Sequence, residues 1–343
     1  MRRQPIHLYI SRSITGEEMT MERGVGRILG ALVMAVILFA CAAGWCAPRL
    51  TVVTSIFPLQ EFARAVGGER ATVRLLLPPG AEPHTWEPRP SDILTIAKAD
   101  FFIYIGSGLE PWARDILEGA RRDSLEVVEI MEKLEIPSPR QSAGDVPSEQ
   151  GVRNMPHKHA HTGRQHEGID PHIWLDFRMD QRIVDTLADA FSRKDPEGAS
   201  LYRRNASAYN ERLAALDTQY AESLARCKRS EILVAGHAAF SYLVQRYGLE
   251  QISLMGMNPD AETKPREMAG ITDYAKRIGI CTIFYERLAN DRLARVLAEE
   301  IGATIMVINP GANLTREERK AGITFIDVMK ENLENLMKGL ECE

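Results

Sequence analysis

The sequence predicts an α/β protein in which two parallel-sheet lobes are joined by one long rigid helix. Three observations carry this expectation. From Leu50, short β-branched runs alternate with helical apolar patterns until four strands have accumulated at LEVVEIM. The alternation resumes at EILVAG and continues to TIMVINP, which gives a second set of four. Such punctuation builds parallel sheets, whose strands read as apolar runs because both faces are buried. Between the sets lies DPEGASLYRRNASAYNERLAALDTQYAESLARC, free of Gly and Pro after Gly198, with Leu201, Tyr209, Leu213, Leu216 and Tyr220 mostly three or four residues apart. A chain of 343 residues is long enough for two lobes.

Taken in order, residues 1–47 read as a signal region. Arg23 and Arg27 precede an apolar run, Ile28 to Trp45, that ends in small residues, which is the layout of an export signal. Met21, just ahead of the basic residues, is a candidate start. Leu38-Phe39-Ala40-Cys41 offers a lipid anchor through Cys41, and Ala42 to Ala47 offers soluble release; either way the expected location is periplasmic or extracytoplasmic. No later segment is long and apolar enough to cross a bilayer.

Residues 48–194 form the first expected lobe. LTVVTSIF leads into PLQEFARAVGG, ATVRLLLP into RPSDILTIAKA, and FFIYIG into LEPWARDILEGA, before the strand LEVVEIM. Within this lobe, 137–168 is rich in Pro, Ser, Gly, Gln and His and has too few apolar residues to order itself, so a disordered His-rich loop is expected there. Residues 195–227 make the linking helix, begun at Asp195 and Pro196 and spanning about 45 Å if all thirty or so residues are helical. Residues 228–343 form the second lobe, ending in a helix around Ile323 to Leu340.

A formal net charge of -5 gives no basic field for a nucleic acid, and no aromatic-plus-basic motif accompanies it, so that class of partner is excluded. Of the five cysteines, Cys41 and Cys46 lie in or beside the signal. Cys227, Cys281 and Cys342 remain for one disulfide in an oxidising compartment. Cys281 opens a strand and Cys342 lies next to the last residue, so a Cys281–Cys342 tether of the tail is the expected pairing. With no CxxC pair, a Cys-based zinc site is not supported.

Histidine is the informative residue. The stretch MPHKHAHTGRQHEGIDPHIWLD holds five of the eight. Outside that loop, and outside the leader's His7, only His84 in GAEPHTWEP, His172 in DPHIWLD and His237 in VAGHAAF occur. Each follows a strand or leaves a loop, and carboxyl ends of strands in open α/β sheets face the ligand crevice. Taken singly, each is more often a satisfied loop histidine. Taken together, three imidazoles from dispersed loops suit zinc. Pro83 and Pro171 stiffen the chain before two of them. Glu82 and Glu87, or Asp170 and Asp176, are placed to orient rings.

The strings PPGAEPHTWEPRPSD, DPHIWLD, the long helix after DPEGASLYRRNASAYNERL, and VAGHAAFSYLVQRYGL resemble the metal-binding subunits of bacterial zinc and manganese ABC uptake systems, the cluster A-I solute-binding proteins. The resemblance runs from about Leu50 to the C-terminus. It implies Rossmann-like lobes joined by a rigid helix, a metal between them, and delivery by a monomer to an ABC transporter membrane permease. Carried over by position, His84, His172 and His237 fall where the family places histidine ligands; relatives with His at the third position resemble zinc binders, those with Glu there manganese binders. The sequence departs at the fourth ligand, where members often carry Asp in a string like LDP and this chain has Asn309 in INP. Water, Asn309, Glu82 or Glu286 remain as alternatives.

His157, His159, His161 and His166 resemble the His-rich insertions of zinc-type relatives and are expected to capture metal weakly; a solvated spacer is the bland alternative. The expected function is export-side Zn2+ capture, with manganese or iron(II) uptake as the alternative within the family. A metallohydrolase is the rival class, since three histidines and a water also hold catalytic zinc, but no HExxH motif is present. A surface adhesin is a third reading, under which metal removal leaves the main role intact.

Overall fold

A computed structural model describes residues 49–120, 122–134, 169–256 and 265–343. The signal region with Cys41 and the loop with His157, His159, His161 and His166 lie outside the described residues. Residues 49–343 cluster as one compact unit.

The first sheet is built from β1 (Leu50–Thr54), α1 (Phe57–Gly67), β2 (Ala71–Leu75), α2 (Pro90–Lys98), β3 (Phe101–Tyr104), α3 (Ala113–Ala120), β4 (Glu126–Glu129) and the single turn α4 (Ile130–Lys133). Its strands are all parallel, in the order β2-β1-β3-β4. β3, FFIY, is buried at every position, which explains why it reads as an unbroken apolar run.

Two helices lead away from this sheet, α5 (Phe177–Lys194) and α6 (Ala199–Leu224). The second sheet comes next, with β5 (Glu231–Val234), α7 (Ser241–Tyr247), β6 (Glu250–Ser253), α8 (Pro265–Ile278), β7 (Thr282–Glu286), α9 (Arg292–Ile301) and β8 (Thr304–Ile308), then α10 (Arg316–Ala321) and α11 (Phe325–Gly339). Its order, β6-β5-β7-β8, repeats the winding of the first.

The linking helix begins later than its sequence suggests. Asp195 and Pro196 open a short 3-10 turn, and the α-helix runs for 26 residues from Ala199, about 39 Å. Asp195 anchors that start by accepting hydrogen bonds from Arg70 at 2.7 Å and from the Tyr202 hydroxyl at 2.5 Å. The helix is no bare strut. Tyr202, Tyr209, Leu213, Leu216, Tyr220 and Leu224 make one buried stripe. Tyr209 meets Phe62 of α1 edge-on, and the Tyr220 hydroxyl donates to the Met329 carbonyl of α11. Its stripe therefore packs on helices from both lobes.

Side-chain alternation along the strands sorts the core into layers. Val52, Phe101 and Ile103 join Ile232, Val234, Phe284 and Ile308 in one cluster shared by both sheets and the long helix. Val53, Phe102 and Tyr104 form a separate outer cluster on the first sheet, and Leu233 and Ile283 one on the second. The shared inner core fixes how the two carboxyl edges face each other.

The tail is tethered, but by a different cysteine. Cys227 bonds Cys342, and Cys281 is an exposed free thiol, which corrects the expected Cys281–Cys342 pair. The reason is helix packing: because α6 and α11 lie together, the residues following each form an isolated antiparallel bridge, Cys227 opposite Cys342. Cys281 instead lies against the Arg229 guanidinium, 3.1 Å away.

Candidate metal centre

His84 sits in the loop between β2 and α2, a segment held in shape by the opposite lobe. Asn313, beyond β8, donates its amide to the carbonyls of Pro78 and Ala81 at 2.7 and 2.8 Å, and Arg319 donates to the Leu77 carbonyl. Gly80 N–H reaches the Leu314 carbonyl at 2.9 Å. Without regular structure of its own, the His84 loop takes its order from these bonds.

His172 precedes the 3-10 turn Ile173–Leu175 and is buried. Asp170 Oδ1 accepts from its backbone N–H at 3.0 Å and from its Nδ1 at 2.7 Å. The Tyr242 hydroxyl donates to the Asp170 carbonyl, and Trp174 Nε1 donates to the Pro310 carbonyl. Asp176, the other carboxylate flanking His172, caps α5 by accepting from Arg178 N–H; Glu87 is exposed.

His237 leaves the carboxyl end of β5 through Ala235 and Gly236. Glu286 Oε1, on the last residue of neighbouring β7, accepts from its backbone N–H and from Nδ1, both at 2.8 Å. Gly236 permits this approach, since a Cβ there would lie 2.0 Å from Glu286 Oε1.

With each Nδ1–H of His172 and His237 committed to a carboxylate, the lone pair of each ring falls on Nε2. The Nε2 atoms of His84 and His172 are 3.3 Å apart, and those of His237 and His172 are 3.1 Å apart. All three ligand atoms lie within 4.8 Å of one another. Zinc holds imidazole nitrogen at about 2.0–2.1 Å, so neighbouring ligands of a tetrahedral ion lie about 3.3–3.4 Å apart. Two of the three separations are close to that value, and the third is within 4.8 Å.

Its protonation follows from the surroundings. Burial, and then the other two histidines, push His84 down to about 3. Burial also lowers His172, with Asp170 pulling the other way. For His237 burial again disfavours the charged ring, but the hydrogen bond and charge of Glu286 outweigh it and the net shift is upward. Two rings are thus neutral at neutral pH without help, and His237 is where a proton competes with a metal.

The alternatives for a fourth ligand are separated by position. Glu286 stands behind His237, bonded to Nδ1. Glu82 Oε1 accepts from the His84 N–H at 3.3 Å and borders a cleft of about 520 Å³ beside His237. Asn309 borders the same cleft, with its Oδ1 occupied by Gly311 N–H. Sequence reasoning singled out the three rings but missed Asn313, Trp174 and Tyr242, which shape the site through carbonyls and leave no motif.

A family model described as the periplasmic component A of the zinc-uptake complex, ZnuA, matches residues 52–339. The chain is 35% identical over 296 residues to the zinc-binding lipoprotein AdcA of Streptococcus pneumoniae serotype 4, covering 86% of this chain and 56% of that protein. It is 31% identical over 292 residues to the high-affinity zinc uptake system protein ZnuA of Bacillus subtilis, covering 85% and 88% respectively. The chain thus spans little more than half the length of its AdcA relatives. Among solved structures, the Zn(II)-bound ZnuA-like domain of S. pneumoniae AdcA superposes with a TM-score of 0.67 at 32% identity, over 85% of this chain and 99% of that one. A laminin-binding adhesin, Lmb of Streptococcus agalactiae, gives 0.71 at 27% identity, over 85% and 99%.

Proposed function

Since the chain belongs to the family of periplasmic zinc-uptake component A proteins, we propose that it is an exported protein that captures Zn2+ in the cleft between its lobes and hands it to an ABC-type permease. The observation that carries this reading is the convergence of three imidazoles whose ligand nitrogens lie within 4.8 Å of one another, with His172 Nε2 3.3 and 3.1 Å from those of His84 and His237 and two of the rings backed by carboxylates on Nδ1. His84, His172 and His237 are the ligands. Asp170 and Glu286 orient the last two and keep their tautomers. The lobes divide as 48–194 and 228–343, with 195–227 between them. Three neutral imidazoles favour zinc over manganese, which prefers oxygen. The carboxylates bonded to the rings are spent on Nδ1, which suits holding an ion more than activating a water for hydrolysis. The stripe of α6 packed on both lobes supports uptake and release with small lobe movement.

Competitive calorimetric titration with zinc, manganese and iron(II) tests the reading. One tight zinc site, absent in His237→Ala, is expected; a site that prefers manganese or ignores His237 overturns it.

A further inference from the structure

His172 belongs by sequence to the first lobe, yet bonds on both sides of it cross to the second. Two residues before it, the Asp170 carbonyl accepts from the Tyr242 hydroxyl of α7 at 3.2 Å, while the Asp170 carboxylate holds the N–H and Nδ1 of His172 itself. Two residues after it, Trp174 Nε1 donates at 2.6 Å to the carbonyl of Pro310, beyond β8. The indole also lies against the imidazole, with ring centres 5.3 Å apart. His172, Trp174 and Tyr242 are all buried, so breaking either bond leaves polar groups unpaired away from water. On its own lobe's side the segment is held by Ser107, whose Oγ donates to the Ile169 carbonyl at 2.5 Å. Ser107 does so from a left-handed backbone, φ 52, a conformation that costs a residue with a Cβ and is kept where position matters. His237 differs, because Glu286 of its own lobe aims it.

Building on the zinc-binding reading, we propose that Trp174 and Tyr242 are positioning residues through which the docking of the two lobes sets the grip on the metal. With both bonds made, His172 presents its Nε2 3.1 Å from that of His237. A shift of the second lobe that breaks them frees Asp170 and the indole together, and the ring loses its aim while the fold persists. Ligand geometry tolerates only about 10–20° of misdirection, so a small lobe movement is enough for release, which suits a linking helix packed on both lobes. Coupling of this kind is reciprocal: the factor that the bonds add to zinc affinity, zinc adds to the stability of the bonds.

The test uses the full chain. Tyr242→Phe removes one hydroxyl and Trp174→Phe one indole N–H. Each is expected to weaken zinc about five- to tenfold by chelator competition, the loss of one hydrogen bond, chiefly through faster dissociation. Tyr220→Phe is the control: it deletes another buried hydroxyl bond, to the Met329 carbonyl, and should lower the thermal midpoint while zinc affinity stays within about twofold of wild type. In an Asp170→Ala background Tyr242→Phe should add no further loss, because Asp170 is what Tyr242 positions. In the chain labelled with 15N-tryptophan, zinc should slow solvent exchange of the Trp174 indole N–H by about the factor that Trp174→Phe costs in affinity. The proposal is overturned if both variants bind zinc within about twofold of wild type, if Tyr220→Phe weakens zinc as much as they do, if the Tyr242→Phe loss persists without Asp170, or if zinc leaves the indole exchange unchanged. Those outcomes leave the three histidines standing as ligands. Zinc bound by His172→Ala as tightly as by wild type would instead remove the three-histidine reading on which the proposal rests.

Discussion

The two sheets wind in the same order, yet their carboxyl edges serve different ends. Each has a switch point, between β1 and β3 in one and between β5 and β7 in the other, with a buried glutamate beside it. In the first lobe Glu110 accepts from the Ser55 hydroxyl at 2.5 Å and from the backbone N–H groups of Ile105 and Gly106 at 3.2 and 3.0 Å. The crevice is closed by its own backbone. In the second lobe Glu286 gives one oxygen to both the N–H and Nδ1 of His237, and the ring's other nitrogen is left for a ligand. Topology supplies the place in both. The residues just past the central strand, Ser55 in one and Gly236-His237 in the other, decide whether the place becomes a site.

Removing the ring should have the largest effect. His237→Ala is expected to cut zinc affinity by more than the roughly 100-fold that bounds the loss of an outer partner, read by chelator competition. Glu286→Ala removes only that partner and should cost about 10- to 100-fold, with one zinc still bound per chain. Equal losses in the two variants would mean that Glu286 is itself a ligand and that the contrast between the glutamates is wrongly drawn.

Acidity probes the same pair more gently. The upward shift of His237 places its titration above 6.5, whereas His84 stays neutral down to about 3. Zinc affinity should therefore fall by about tenfold per pH unit once pH drops below the His237 value, a one-proton slope. Glu286→Gln, which takes away the charge that raises His237, should move the onset to lower pH. An onset unchanged in that variant, or a slope of two or three protons, would assign the competition to another ring.

These contrasts show what the sequence could and could not carry. The strands were legible because runs such as FFIY and EILV are buried on both faces and leave no polar alternation to misread. The three ligand candidates were legible because histidine is otherwise scarce. The helix α5 was not assigned: its buried stripe, Phe177, Ile183, Val184, Leu187 and Phe191, is interrupted by Asp180, which is itself fully buried. Which carboxylate aims which ring was only half legible. Asp170 is two residues from His172, but Glu286 is 49 from His237, and only the pairing of β5 with β7 brings them together. The disulfide failed for the same reason, since Cys227 and Cys342 meet only because two distant helices pack.

The smallest expected change in zinc affinity sharpens the comparison from the other lobe. Glu110→Gln touches no candidate ligand, so its zinc affinity should stay within about twofold of wild type. Its effect belongs to stability. Burial pushes Glu110 up to about 7 from an ordinary 4.5, against the pull of the Ser55 and backbone hydrogen bonds. Between those values the folded chain keeps a proton that the unfolded chain releases, so stability falls as pH rises through this window and levels off above it. The loss is roughly 3 kcal/mol over the window, at about 1.4 kcal/mol per unit. Glutamine cannot ionise, and its amide presents a donor where an oxygen accepts from backbone N–H. The variant should be less stable than wild type near pH 5 by about 1–3 kcal/mol, and the gap should shrink or reverse by pH 8. Urea unfolding at both pH values measures it. A gap that does not depend on pH would mean that Glu110 is ionised throughout, and the first crevice would then hold a buried charge as the second does.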